Sequence, residues 1–193
     1  MEHKTIMLDA GSYAKLAHAR AELRRRSGLK ISFNDVINEL VGRNIESLGM
    51  DDMLKRYITE FAERVGSLEY VLGVLLYGSV ARNRFGKYSD IDVLVMIKTH
   101  SWKQYEEVRA IASELEKRDG SRLFEHGLPS LLSFVILTVD DLKKFRPFHL
   151  DLADYGVVLY ERGGALRDFI YAMEGIKHWR EHINGAEVLR WKI

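Results

Sequence analysis

The spacing of apolar residues divides most of the chain into alternating helices and strands. Short, nearly continuous apolar runs predict strands at residues 68–79, 90–98, 130–138, 155–164 and 186–193. Apolar residues three and four apart, with capping residues ahead of them, predict helices at residues 51–67, 80–84, 101–120, 140–145 and 165–183. Mixed strands and helices after residue 50 predict an α+β or α/β domain over residues 50–193.

Residues 1–49 follow a different order of strand, helix, turn and helix. Thr5 to Asp9 alternates weakly like a short edge strand, Ser12 caps a helix that ends at Gly28, and Ser32 opens a second helix. So short a segment cannot bury a core alone. Its order resembles the ribbon-helix-helix family, in which two chains pair their strands and pack four helices into one core. The resemblance implies a homodimer.

In that family the outward side chains of the ribbon enter the DNA major groove. If Ile6 and Leu8 face the core, strand alternation makes His3, Thr5 and Met7 the candidate DNA-binding side chains. This trio is less basic and less polar than a good DNA reader. DNA binding and dimerisation alone are therefore equal alternatives for the segment.

Composition excludes several classes of function. The chain of 193 residues is 47% apolar and 30% charged, which is typical of a globular protein with a core. The absence of cysteine excludes disulfides, thiolate metal sites and a cysteine nucleophile. No apolar run approaches the length of a membrane span, so we expect a cytoplasmic protein without membrane contact. The net charge of +1 gives no overall attraction for nucleic acid. The basic run at residues 24–26 either attracts nucleic acid locally or is the solvated end of a helix.

The most sharply patterned polar segment lies between two apolar runs. Gly78 and Ser79 end one predicted strand, and a helix start follows. Such a turn offers backbone N–H groups, a hydroxyl and a helix dipole to an anion, and glycine lets a phosphate approach without a Cβ in the way. Most turns of this kind are only turns, so the feature alone is weak evidence.

Two aspartates stand at the start of the next strand. Asp90 and Asp92 point to one face of a strand, while Ile91 points to the other. Two like charges at so short a distance destabilise each other unless a cation lies between them or one of the groups takes up a proton. Mg²⁺ is commonly bound by one or two carboxylates plus substrate phosphates. The pair therefore predicts a Mg²⁺ site beside a phosphate-binding turn. The alternative is that Asp90 caps and Asp92 merely begins the strand.

The combined motif resembles the minimal nucleotidyltransferases of the DNA polymerase beta superfamily. The matching positions are Gly78, Ser79, Ala81, Arg82, Ser89, Asp90, Ile91 and Asp92. The resemblance implies an α+β fold with a mixed sheet and flanking helices. It also implies nucleotide-binding roles for Gly78, Ser79, Arg82 and Ser89, and catalytic and metal-binding roles for Asp90 and Asp92. Asn83 stands where the family usually has a glycine, and Arg84 fits a solvated loop as well as a phosphate contact.

The same resemblance implies a function. Such proteins use Mg²⁺ to transfer a nucleoside monophosphate, usually AMP from ATP and sometimes the equivalent from another nucleoside triphosphate, to an acceptor. Proteins that look like this are often antitoxins that modify a HEPN-type ribonuclease toxin on a tyrosine. A ribbon-helix-helix module suits an antitoxin that dimerises and binds its own operator. The alternative is a catalytically degenerate fold that acts as a dimeric regulator and binds DNA or a partner protein.

One feature of active family members is missing from the sequence. They typically carry a third carboxylate on a neighbouring strand, where it completes the metal shell and can accept a proton. The predicted strand 130–138 contains no acid, and Ser133 is its nearest polar residue. Glu125, Asp140 and Asp141 flank the strand and are the candidates to reach in, although Asp140 fits the N-cap of the next helix better.

Two histidines resemble a zinc-binding pair by spacing alone. His178 and His182 stand four apart in the predicted last helix. No acidic partner pattern accompanies them, so we interpret them as surface histidines.

Overall fold

The computed structural model describes residues 9–27, 45–183 and 186–192. The chain forms two compact units, Met1–Gly42 and Arg43–Ile193. In the first unit, helix α1 (Ala10–Ser27) confirms the first predicted helix, and Arg24 and Arg25 are exposed in its last turns.

Two predictions for the first unit fall outside the described residues. One is the ribbon strand, which carries His3, Thr5 and Met7. The other is the second helix from Ser32. The DNA-binding assignment therefore stays a prediction.

The second unit begins with a 3₁₀ turn at Ile45–Ser47 and continues as mixed helices and strands. In chain order these are α2 (Asp52–Gly66), β1 (Val71–Tyr77), α3 (Gly78–Ala81), β2 (Asp90–Ile97), α4 (Trp102–Glu125), β3 (Leu131–Thr138), α5 (Val139–Lys143), α6 (Phe148–Tyr155), β4 (Val157–Glu161), α7 (Ala165–Glu174), β5 (Lys177–Ile183) and β6 (Ala186–Lys192). Among these described helices, none is long and apolar enough to cross a bilayer.

Four of the strands form one mixed sheet in the order β3-β2-β1-β4. Strand β2 is parallel to β3 and antiparallel to β1, and β1 is also antiparallel to β4. The two central strands are covered on both faces, which explains why residues 93–97 read as one continuous apolar run. The α+β class with a mixed sheet is thereby confirmed.

Helices cover both faces of this sheet and hold its strands in register. Helix α2 begins at an N-cap, where the Asp51 side chain accepts a hydrogen bond from the Met53 N–H at 2.7 Å. Its apolar stripe, including Ile58 and Phe61, packs with α4 against one face of the sheet. Helices α6 and α7 contribute Leu152 and Leu166, together with smaller contacts, to a second cluster on the other face.

The predicted last helix is wrong in its second half. Helix α7 ends at Glu174, and residues 177–183 form β5, which pairs with β6 in an antiparallel hairpin. Gly175 at the helix C-terminus interrupts the helical pattern, and the strand is fixed by pairing with a partner that helical periodicity does not reveal. His182 is exposed as expected, whereas the Nε2 atom of His178 lies 2.8 Å from an Asp154 carboxylate oxygen.

Helix α6 has no counterpart among the sequence predictions, and it buries a histidine. His149 is fully buried among the rings of Phe145, Phe148 and Phe169, with ring centroids 4.5–6.5 Å apart. Its Nδ1 accepts a long hydrogen bond from the Arg146 N–H at 3.4 Å, and its Nε2 has no hydrogen-bond partner. Burial, aided by the Arg146 charge, lowers the pKa of His149 from 6.5 to about 4.

We expect this histidine to make stability depend on pH. The unfolded chain binds the proton more readily than the folded one, so stability is fully present above pH 6.5 and falls as the pH drops toward 4. Between pH 7 and pH 4.5, the His149→Phe variant should lose less stability than the wild type, as measured by thermal unfolding. The exposed His182→Gln is the control and should follow the wild type. Parallel pH curves for wild type and His149→Phe would contradict the assignment.

Candidate active site

The strand register brings the glycine-serine turn and the two aspartates together. Strand β1 ends at Tyr77, which is the antiparallel partner of Asp92, and Gly78 follows directly. Asp90 and Asp92 occupy the first and third positions of β2, on one face of the sheet. The motif predicted that the turn and the aspartates lie close together. The pairing of β1 with β2 is the physical cause of this proximity.

The carboxylate of Asp92 packs against the backbone of Gly78. The backbone of Gly78 has a φ of +73°, in the left-handed region that favours glycine. A Cβ built at this position would lie 2.0 Å from Oδ2 of Asp92. The carboxylate therefore occupies the space that any other residue's side chain would need.

Arg82 lies on the same turn and is held by two groups. Its Nε donates a hydrogen bond to the carbonyl oxygen of Gly78 at 3.2 Å, and its guanidinium lies 5.1 Å from the ring centroid of Tyr155. The next residue, Asn83, has a φ of +53°. Asparagine is the non-glycine residue that best tolerates this region, which explains how it replaces the family's glycine.

The two carboxylates differ in exposure and in electrostatics. Asp90 is exposed, whereas Asp92 is half-buried. Burial raises the pKa of Asp92, the negative charge of Asp90 raises it further, and the positive charge of Arg82 opposes both effects. Ionisation of Asp92 is therefore less favourable without a cation nearby. Two carboxylates on one face, one of them packed against the backbone of the glycine turn, suit the ligand preference of Mg²⁺.

Ser79 and Ser89 have different structural positions. Ser79 is half-buried in α3, and α3 spans only four residues, Gly78–Ala81, so its dipole adds little to the backbone N–H groups. The Oγ of Ser89 accepts a hydrogen bond from the Gly86 N–H at 3.1 Å, and the Ser89 N–H donates to the Gly86 carbonyl at 2.9 Å. Ser89 therefore closes the turn that leads into Asp90. Arg84 is exposed.

Within the described residues, no third carboxylate joins the pair. In the parallel register of β2 and β3, Asp90 is the partner of Leu131 and Asp92 is the partner of Ser133, so the strand expected to carry the acid does lie next to β2. Across the described parts of the chain, no three acidic or histidine side chains form a metal-binding group. Glu125 is exposed at the end of α4.

The acids that follow β3 are engaged elsewhere. Thr138, not Asp140, is the N-cap of α5, and it forms a capping box with Asp141, which corrects the prediction for Asp140. Hydrogen bonds from Thr138 lower the pKa of Asp141 to about 2. Asp140 pairs with Lys143 at 2.7 Å. Thr138 lies five residues after Ser133, about 16 Å along β3, so both acids lie at the far end from the carboxylate pair.

Sequence reasoning missed an ionic cluster that borders the site. Arg180 of β5 binds Asp151 and Asp154 of α6, and its guanidinium lies 4.8 Å from the ring centroid of Tyr155. Tyr155 is therefore in contact with both Arg82 and Arg180. Because these residues are far from the motif in sequence, no local pattern connects them with it.

We expect Gly78 to be irreplaceable by alanine. Gly78→Ala adds a Cβ where Asp92 lies and strains the positive φ, so it should lower the free energy of unfolding by at least about 1 kcal/mol. It should also weaken binding of Mn²⁺, a spectroscopic substitute for Mg²⁺, because Asp92 must move. Gly86→Ala is the matched control, since a Cβ there meets no atom within 4 Å. Equal Mn²⁺ affinity in the two variants would contradict the described packing.

The fold has low-scoring similarities to three crystal structures. One is a toxin-antitoxin with AMP-PNP, at 15% identity and a TM-score of 0.37. The other two are mutants of the toxin-antitoxin MntA-HpeT, at 14% and 13% identity and TM-scores of 0.39 and 0.36. Each similarity covers 62% of this chain and 82% of the other. No curated protein matches the sequence.

A family model gives the more specific finding. Residues 55–127 match the model described as the nucleotidyltransferase domain. The matched segment contains the glycine-serine turn, both aspartates and strands β1 and β2. The resemblance of the motif is confirmed over this segment: residues 55–127, which carry the motif, are similar to the nucleotidyltransferase domain.

Proposed function

We propose that this domain transfers a nucleoside monophosphate, AMP from ATP, to a hydroxyl group of an acceptor in a Mg²⁺-dependent reaction. The observation that carries the proposal is the packing of the Asp92 carboxylate against the Gly78 turn, with Asp90 on the same face. This places metal-binding oxygens directly beside the turn whose backbone N–H groups and Ser79 hydroxyl would bind phosphate.

Each residue of the proposed site has its own role in the reaction. Gly78, Ser79 and Arg82 bind the triphosphate, and Ser89 fixes the turn that presents Asp90. Asp90 and Asp92 hold the Mg²⁺ ion. When bound, the ion neutralises charge on the triphosphate and stabilises the attacking and leaving oxygens.

The transfer is an in-line substitution at phosphorus. The acceptor oxygen forms a bond to the α-phosphorus, the bond from that phosphorus to the oxygen bridging to the β-phosphate breaks, and pyrophosphate leaves. The hydroxyl proton passes to solvent, because Ser133 stands where a third carboxylate would accept it.

The proposed acceptor is a protein, a HEPN-type toxin for which this chain serves as the antitoxin. The motif at residues 78–92 is the support for this role. Residues 1–49 would form a ribbon-helix-helix module that makes the chain a homodimer, and His3, Thr5 and Met7 would contact operator DNA. Residues 50–193 would form the transferase domain.

A second candidate function is a degenerate transferase fold that acts as a dimeric DNA- or partner-binding regulator. One observation favours it. Ser133, not an acid, is the β3 partner of Asp92, and the described residues contain no replacement. The intact carboxylate pair favours the enzyme.

The first experiment tests the metal role. With [α-³²P]ATP, Mg²⁺ and a partner protein, the wild type should transfer label to the partner. The Asp90→Asn, Asp92→Asn double variant should lower the transfer rate at least about 100-fold, because both metal-binding carboxylates are lost. Asp140→Asn removes an exposed acid far from the site and is the matched control. Labelling that persists in the double variant would rule out this role.

The second experiment restores the missing acid. Ser133→Asp should tighten Mn²⁺ binding by about tenfold, because a third carboxylate joins the pair. Without metal the same variant should be less stable, because three negative charges then lie together. Ser121→Asp adds the same charge to an exposed position of α4 and should change neither property. Tighter Mn²⁺ binding with no transfer in either protein would favour the degenerate regulator.

A further inference from the structure

The carboxylate pair has two chemically different sides. Strand β2, which carries the pair, lies between β1 and β3. On the β1 side are the Gly78 turn and the Arg82 guanidinium. On the β3 side are Leu131 and Ser133, the register partners of the two aspartates. The first side is cationic, and the second begins with an exposed leucine.

Two exposed aromatic rings meet where the turn before β2 passes the end of α4. Tyr88 lies two residues before Asp90 and is 80% exposed, and Phe124 at the end of α4 is 41% exposed. The two rings meet edge to face, with centroids 5.7 Å apart. Leu131 is 60% exposed. Tyr88, Phe124 and Leu131 are called here the apolar rim.

The charge beside the apolar rim is positive. The Nζ of Lys87 lies 4.9 Å from the centroids of both rings. Arg84, on the same turn, is also exposed. Within the described residues, neither cation has a carboxylate within ion-pair distance. A binding partner with an acidic group would therefore meet unpaired positive charge at this rim.

We propose that the apolar rim, with Lys87, is the docking surface for a polypeptide acceptor that presents apolar and acidic side chains. The inference rests on the proposed function and assigns the two substrates to the two sides of the carboxylate pair. The triphosphate lies on the cationic β1 side. The acceptor crosses β3 and brings its hydroxyl oxygen to the α-phosphorus over Asp90 and Asp92, and pyrophosphate leaves on the β1 side.

The shape of the rim favours a polypeptide over a nucleic acid. An edge-to-face pair and an aliphatic side chain offer a platform for apolar side chains, whereas bases need ring faces arranged for successive stacking. The ammonium of Lys87 also lies over both ring faces. The net charge of +1 supplies no long-range attraction for a polyanion.

The test measures label transfer and nucleotide binding in the same full-length proteins. Wild type is incubated with [α-³²P]ATP, Mg²⁺ and a total extract of the cell that encodes the chain, and the label is then challenged with protease and with nuclease. Tyr88→Ser and Leu131→Ser should each slow labelling of the protein acceptor by about tenfold. Both should keep the wild-type affinity for Mg²⁺ and a non-hydrolysable ATP analogue. Trp102→Ser, 75% exposed on α4, is the matched control and should label at the wild-type rate.

A charge-reversal pair tests the acidic character of the acceptor. Lys87→Glu should slow labelling more than Lys87→Arg, and the difference should shrink at high salt. Rim variants that label at the wild-type rate, or a label removed by nuclease and not by protease, would overturn the inference while leaving nucleotidyl transfer standing. A wild type that binds nucleotide but labels nothing would overturn the proposed function and this inference with it.

Discussion

The site depends on the contact between the Asp92 carboxylate and the backbone of Gly78. That contact exists because Tyr77 pairs with Asp92, and the pairing is held by the buried residues that precede and follow it on β1 and β2. A shift of one residue would turn every side chain of β2 to the other face and separate the turn from the carboxylates. The fully buried strand centres therefore fix the geometry of an exposed, polar site.

The described structure stabilises this arrangement from the α6 side with paired charges. Arg180 joins β5 to Asp151 and Asp154, and His178 adds a further bond to Asp154. These hydrogen bonds offset the cost of partly burying the charges. The Tyr155 ring lies close to both Arg180 and Arg82, so it connects the ionic cluster with the turn at Gly78.

The two strands that flank β2 place different side chains on the two sides of the site. Arg82 on one side suits a polyanion, and Leu131 on the other suits an apolar acceptor surface. The proposed transfer needs its two substrates on opposite sides of the reacting phosphorus, and the strand order is compatible with that separation. Ser133 is the β3 partner of Asp92, and among the described residues no third carboxylate replaces it, so the proposed acceptor side has no carboxylate base there.

The sequence by itself determined the elements whose signals are local: the apolar strands β1 to β3, the capped helix α2, and the motif from Gly78 to Asp92. Strand alternation was sufficient to place both aspartates on one face. Tertiary structure alone decided the rest. Residues 177–183 became a strand because β6 pairs with them, and Tyr155 and Arg180 reached the site because α6 and β5 pack beside the turn. These features depend on contacts between distant parts of the chain, which local periodicity does not encode.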